Sequence, residues 1–488
     1  MSQPLKRKTG LALFWSFVDK GGQQVIQFVF FYILARLVLK EDFGIVGILA
    51  VFTAVANILQ ESGFSSALIR KKRVLQEEYT SVFYFNIIVS LSIYIVFFAC
   101  APLISQFYGK PILTNLSRVI FLSFVFSSFG IVQNVHLIRE MNFKTNTRIT
   151  LLAGVLSGAI AITMAYNGMG VWSLVMQLVF QNFLRSTFLW IFVGWRPAMI
   201  KNFVFGHIKE MSPYSLKLLA TALLNQICNN IAPLIIGKKF DFTQVASYSQ
   251  GVKLNTIPQS IISDGIKSVA YPLLTNIDGG EEEEKKVFRK VVRIAAFISF
   301  PVAMMLIVLA DPIVSIYLPP EWKDVIPLVQ ILAIGSAFYP FYVLIGSLLQ
   351  FKGKSGLLLN IEIIRNTFLL SAIVFCLSYG VTALVVGVSA VGLLSFLCGI
   401  YIAGRTISYT LKEVITDIAP YMVIAGAAFL PTLLLHQTGL ENKYLLFFIP
   451  LITGSCLYLL IVKLFGSVIL EETINFVKQS FKRTNAGE

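Results

Sequence analysis

Charge is what this sequence lacks most: Asp, Glu, Lys and Arg make up 13% of its 488 residues, about half the share found in a soluble domain. Hydrophobic residues fill 56% of it, and their runs reach about 20 residues, the length of one bilayer crossing. Together these exclude a soluble globular domain and a disordered chain. Histidine is reduced to three scattered residues, His136, His207 and His436. The five cysteines, Cys100, Cys228, Cys376, Cys398 and Cys456, all lie in apolar stretches with no pair at metal or redox spacing. No Gly-rich phosphate loop is present, and no paired carboxylates face the outer side. The expectation is therefore a non-enzyme with no catalytic residue, no metal and no cofactor.

What is there is a succession of fourteen apolar segments, from Leu11–Val38 to Tyr444–Val462, separated by turn signals such as Asn167-Gly168-Met169-Gly170 and Leu318-Pro319-Pro320. The start, MSQPLKRKTG, has the basic character of a signal peptide. The apolar run that follows is too long and is interrupted by Asp19 and Lys20, so it is expected to stay as the first helix. Of the 40 Lys and Arg, 28 fall in one alternate set of loops and 8 in the other. That bias puts both termini in the cytoplasm, and it explains a net charge of +15 without nucleic acid. The acidic run Glu281 to Glu284 reads as part of a solvated loop, and the tail after Gly466 as an interfacial helix.

The two halves echo each other. Ala101-Pro102-Leu103-Ile104-Ser105 after the third helix resembles Asp311-Pro312-Ile313-Val314-Ser315 after the ninth, and Gly170-Val171 before the sixth matches Gly380-Val381 before the twelfth, both at an offset of 210 residues. Six helices per repeat gives both copies the same orientation, one of the usual builds of alternating-access transporters. The expected fold is an all-α polytopic membrane protein of about fourteen transmembrane helices. Two parallel six-helix lobes, 1–200 and 201–410, precede two C-terminal helices within 411–488.

Polar groups are costly in hydrocarbon, so those inside helices mark faces that line water or other protein. Helix eight places Gln250, Lys253, Ser260, Asp264 and Lys267 within an arc of about 100°. Helix one carries Lys20, Gln23, Gln24 and Gln27 with Asp19 at the edge of the stripe, and helix six carries Ser173, Gln177, Gln181 and Arg185 at four-residue spacing. Helix seven carries Asn225 and Asn229. These four helices are expected to surround a hydrated cavity between the halves. Its amides suit sugar hydroxyls, and its cations Lys20, Arg185 and Lys253 suit phosphate. The expected substrate-binding set is Lys20, Gln23, Gln27, Gln181, Arg185, Asn225, Asn229, Gln250 and Lys253, with Asp19, Asp264 and Lys267 as coupling-ion or gating groups.

An ordered series of local stretches then resembles a known family. The pieces are LARLVLKEDFG (Leu34 to Gly44), SALIRKKRVLQEEYTSVFYFN (Ser66 to Asn86), APLISQFYGKPIL (Ala101 to Leu113), MGVWSLVMQ (Met169 to Gln177), WRP (Trp195 to Pro197), LIIGKKFDFTQVASYSQGVKL (Leu234 to Leu254) and EWKDVIPLVQIL (Glu321 to Leu332). Together they resemble the polysaccharide-transport flippases, the Wzx-type transporters of lipid-linked oligosaccharides, in the multidrug/oligosaccharidyl-lipid/polysaccharide exporter superfamily. One departure is visible: the family's small-Gly-Tyr-Tyr pattern appears here as Ala246-Ser247-Tyr248. The resemblance implies a two-lobed transporter of a polyprenyl-pyrophosphate-linked oligosaccharide across the bacterial inner membrane, for O-antigen, capsule or exopolysaccharide assembly. It further implies membrane lipids and a polysaccharide polymerase or other assembly proteins as partners. Coupling to a proton or sodium is a further expectation, through Asp19 or Asp264. The alternatives are a multidrug/cation antiporter of the same superfamily, which would favour acidic residues in its cavity, and a membrane polysaccharide polymerase or ligase, which would present a larger outer loop.

Overall fold

The computed structural model describes residues 3–61, 64–200, 204–275, 280–437 and 442–465, and every regular element among them is helical. A backbone surrounded by hydrocarbon must pair its own N–H and C=O groups, so apolar runs of this length form helices. By internal contact the chain divides into two units, residues 1–246 and 247–488. The expected interfacial tail, Ile469 to Arg483, lies outside the described residues.

The first unit contains α1 (Gln3–Leu37), α2 (Lys40–Glu61), the short α3 (Phe64–Arg70), α4 (Gln76–Tyr108), α5 (Ile112–Ser128), α6 (Ile131–Arg139), α7 (Phe143–Tyr166), α8 (Val171–Phe192), α9 (Phe205–Lys239) and the start of α10 (Phe242–Thr275). Helix α1 packs on α7, α7 on α8, α5 on α4 and α8, and α2 on α5 and α9. The second unit holds the rest of α10 with α11 (Glu281–Tyr317), α12 (Val325–Ser336), α13 (Tyr339–Phe351), α14 (Ser355–Cys376), α15 (Val381–Ile407), α16 (Leu411–Phe429) and α17 (Lys443–Leu464). Helix α11 is its centre, packing on α12, α13, α16 and α17.

Among the described residues nine helical stretches are long and apolar enough to cross a membrane, and the bent pair α5 and α6 makes a tenth. Helices α1, α8, α9 and α10 have the length but are too polar to join them. Those are the helices on which the sequence places its polar stripes.

The internal repeat has physical counterparts. The fourth expected crossing is not continuous: α5 and α6 meet at 43° across Phe129-Gly130. The corresponding crossing of the second unit breaks between α12 and α13 at Ala337-Phe338. Pro102 lies inside α4 and Pro312 inside α11. Gly170 (φ 50°) and Gly380 (φ 101°) open α8 and α15 in a left-handed conformation that side chains disfavour. The acidic run differs from expectation. Glu281 to Glu284 form the first turn of α11, where negative charge is stabilised by the helix dipole, and Glu284 pairs with Lys352 of the segment after α13.

Two local devices fix the ends of the first unit. After α8 the chain runs extended along α4: Trp195 Nε1 donates to Gln76 Oε1 (2.7 Å), Gln76 Nε2 to the Arg196 carbonyl (2.7 Å) and Tyr84 to the Ala198 carbonyl (3.0 Å). Arg139, at the end of α6, donates to the carbonyls of Leu68 and Lys71 and so folds the basic loop 70–73 around its guanidinium. Lys71 itself bonds to Glu78 and lies beside Glu210, which holds its amine above the usual lysine range.

Helix α2 lies close to α9 and to the start of α10 because Gly237 and Gly44 lack side chains: a methyl on Gly44 would be driven into the Phe242 carbonyl at the start of α10, and one on Gly237 of α9 into Ile48. Gly21, on α1, has nothing within 4 Å of the same position. Gly44→Ala is therefore expected to cost about 1–3 kcal/mol from overpacking and to lower the unfolding temperature of the detergent-solubilised protein, while Gly21→Ala is expected to be neutral or stabilising. Equal melting temperatures for the two variants would contradict the close approach.

Candidate functional site

The break in the fourth crossing frees backbone carbonyls inside the bilayer, and each needs a donor. Ser186 Oγ of α8 donates to the Phe126 carbonyl (2.6 Å) and Trp190 Nε1 to that of Phe129 (2.8 Å), while Gln60 Nε2 of α2 braces the last turns of α5 through the Phe124 carbonyl (2.8 Å). The other end of the Gln60 amide accepts from Ser127 Oγ at 2.8 Å. Gly130 faces Ser186 and Leu189 so closely that a Cβ would meet both inside 3 Å. With α5 held in this way, α6 diverges and leaves a cavity.

That cavity has a volume of about 370 Å³, lined by α2, α3, the α5–α6 break and α8. Asn57, Ser65, Ser66, Asn134 and Asn182 supply its amides and hydroxyls, Arg185 is its cation, and no carboxylate lines it. Arg185 Nη2 donates to Asn134 Oδ1 at 3.4 Å. Asp19 of α1 lies within electrostatic reach of Arg185 and beside Gln23. Guanidinium, amides and hydroxyls together bind oxyanions and sugar hydroxyls.

Of the residues expected from the sequence, the first unit brings Asp19, Gln23 and Arg185 into one electrostatic group. Gln181 is half-buried one turn before Arg185 on α8, whereas Lys20 and Gln27 are exposed on α1. Asn225 is half-buried and Asn229 exposed on α9. In the second unit, Gln250 of α10 is buried and bonded to Tyr317 of α11. The α10 face bearing Ser247, Gly251 and Asn255 rests on α12. Asn255 Nδ2 donates to the Val329 carbonyl (3.2 Å), and Gly251 lies against Leu328. Ser247, which replaces the glycine of the family pattern, is buried and donates to Asp324 Oδ2 at 2.7 Å. Lys253 lies two residues from both Gly251 and Asn255, about 200° around the helix, so it is turned away from α12 and half-buried. Asp264 and Lys267 share its face and are exposed.

Sequence reasoning passes over Asn57, Asn134 and Asn182. Asn182 adjoins the stripe at Gln181 and could have been taken with it. Asn57 and Asn134 are single amides in apolar runs, and only the break at Gly130 gives them a shared cavity.

The profile of a family described as "Polysaccharide biosynthesis protein" matches residues 33–327. Similar characterised sequences include a succinoglycan biosynthesis transport protein of Rhizobium meliloti, 23% identical over 67% of this chain and 67% of that protein. A teichuronic acid biosynthesis protein of Bacillus subtilis is 22% identical over 70% of this chain and 71% of its own. A lipopolysaccharide biosynthesis protein of Escherichia coli is 22% identical over 80% and 76%. Among solved structures, the lipid II flippase MurJ in an inward closed conformation superposes with a TM-score of 0.76 at 14% identity, covering 93% of this chain and 98% of that one. An inward-facing multidrug transporter of the MATE family superposes with a TM-score of 0.63 at 17% identity, covering 79% and 94%. These likenesses establish the fold.

A cavity of this polarity holds water. In a cysteine-free background, Ser66→Cys is expected to react readily with a polar maleimide, while Ser117→Cys, fully buried on α5, is expected to stay unlabelled. Failure of Ser66→Cys to react would mean that the cavity is closed to water.

Proposed function

The chain belongs to the polysaccharide biosynthesis protein family, and from that premise we propose that it is a flippase for a polyprenyl-diphosphate-linked oligosaccharide. It takes the lipid-linked repeat unit from the inner to the outer leaflet of the bacterial inner membrane and supplies O-antigen, capsule or exopolysaccharide assembly. The relatives are named for succinoglycan, teichuronic acid, lipopolysaccharide and amylovoran. Polymers so different have no one sugar in common, so on this reading recognition rests on the carrier lipid's diphosphate.

The observation that carries this reading is the Arg185 cavity: one guanidinium, three asparagines and several hydroxyls, with no lining carboxylate. Its volume, at the low end of the 300–1,000 Å³ usual for ligand sites, suits the diphosphate with the adjoining part of the headgroup. Within the first unit Arg185 is the cation of the cavity and Lys20 on α1 a second cation of the expected set; Lys253 is the expected cation of the second unit. The first unit's amides Gln23, Gln27, Gln181, Asn225 and Asn229 serve the sugar hydroxyls, whereas Gln250 is buried against Tyr317. An antiporter of cationic drugs needs acidic lining, which speaks against the alternative with the same fold.

The lipid tail stays in the bilayer while the headgroup exchanges hydration for these donors, and alternating access carries it over. Work of this kind makes and breaks no covalent bond, so the protein is a transporter and not an enzyme. Both termini lie in the cytoplasm, on the strength of the 28-to-8 distribution of Lys and Arg. A coupling proton or sodium would bind at Asp19 or Asp264, with Lys267 as a gating cation, and the product would pass to a polymerase.

Hydrogen bonds to charged groups contribute about 1.5–3 kcal/mol each, or about 10- to 100-fold in an equilibrium constant. In vesicles containing a polyprenyl-diphosphate oligosaccharide, Arg185→Ala is expected to slow flipping by about that factor, and Lys253→Ala to slow it less. Wild-type rates in both variants would overturn the cationic site.

A further inference from the structure

The second unit contains a charge cluster that the transport reading does not use. Where α11 meets α16, the Asp417 carboxylate is completely buried. It accepts from Arg289 Nε (2.7 Å) and Nη2 (3.0 Å), from Arg293 Nε (2.6 Å) and from the Tyr409 hydroxyl (3.1 Å). One turn earlier on α16, Glu413 pairs with Lys285 Nζ (2.8 Å) and Arg289 Nη1 (3.1 Å). Three cations thus meet two anions, and the cluster keeps one positive charge.

The surplus has a definite position. Lys285 and Arg289 are 24% exposed, but Arg293 is 42% exposed. Its Nε is spent on Asp417, which leaves the Nη1–Nη2 edge of the guanidinium as the edge that can take a further oxyanion. Lys286 and Lys290, both exposed, stand on the same stripe of α11 within about 60° of Arg293. They form a ladder of cations that runs from the helix start toward the arginine. The same end of α16 exposes Lys412 together with Leu411 (62%) and Ile415 (56%), as a helix end against lipid does.

Asp417 is shared by two arginines, which leaves one guanidinium charge incompletely balanced, and a planar arginine fork matches two oxygens of a phosphate. We propose that the crevice at the start of α11 and α16 binds the phosphate of an anionic phospholipid of the surrounding leaflet. The outer nitrogens of Arg293 grip the phosphate, and Lys290 and Lys286 face the headgroup. Asp417 is a positioning residue here, orienting Arg293 without touching the lipid. The bound lipid would then fasten α16, which lies outside the six-helix repeat, to the centre of the second unit.

The test is native mass spectrometry and thermal unfolding of the full-length protein, delipidated and returned to micelles containing either phosphatidylglycerol or phosphatidylcholine. The wild type is expected to retain at least one phosphatidylglycerol and to melt several degrees higher in it than in phosphatidylcholine. In Arg293→Gln that difference and the retained lipid are expected to fall several-fold. Comparing the two lipids within each variant cancels any general loss of stability. Should Arg293→Gln not fold, Arg293→Lys, which keeps the charge but loses the fork, is expected to hold the lipid less tightly. Retention at the wild-type level in whichever variant folds would overturn the proposal. So would displacement of the lipid from the wild type by millimolar inorganic pyrophosphate, which would assign the site to a soluble or substrate diphosphate.

Discussion

Two donors of α8, Ser186 and Trp190, take up carbonyls freed where α5 gives way to α6, and Gln60 of α2 braces the last turns of α5 beside them. A membrane helix can break only where such groups are available, because hydrocarbon offers none. The cavity follows from this constraint. With the break satisfied, α6 turns away by 43°, and Asn134 comes to face Arg185 across a space that a straight helix would fill. Removing one donor leaves a carbonyl unpaired and favours closing the bend.

The same constraint divides the helices by task. Among the described residues ten apolar stretches can stand against lipid, while α1, α8, α9 and α10 carry amides and charges that need other surroundings. On α10 the two kinds of surface lie back to back. Ser247, Gly251 and Asn255 fasten one side to α12, and Lys253, Asp264 and Lys267 occupy the other. Charge is likewise used in two ways. Arg185 faces the amides and hydroxyls of a cavity, whereas Asp417 is buried between two arginines and holds two helices together.

Much of this was legible in the sequence, because hydropathy and the spacing of polar residues are local signals. The polar stripes on helices one, six, seven and eight fell on the helices that prove too polar to be ordinary spans. The offset of 210 residues, read from Pro102 and Pro312 and from Gly170 and Gly380, recurs as matched prolines and matched left-handed glycines. The break at Phe129-Gly130 was not legible. Its apolar run is continuous, and the groups that permit it lie about 60 residues away on either side. The Asp417 cluster escaped for the same reason, since its partners Arg289 and Arg293 precede it by more than 120 residues. The four glutamates at 281–284 looked like a loop because composition does not distinguish a solvated turn from the first turn of a long helix.

The central claim is that the cationic, amide-lined cavity recognises the diphosphate of a saccharide carried on a lipid. Its most direct test is to purify the protein from its membrane in mild detergent and identify the co-isolated lipid by mass spectrometry, for the wild type and for Arg185→Ala. A polyprenyl diphosphate bearing an oligosaccharide, held by the wild type and depleted in the variant, is the predicted result. Equal recovery of that lipid from both proteins, or phospholipids alone from the wild type, would contradict the account.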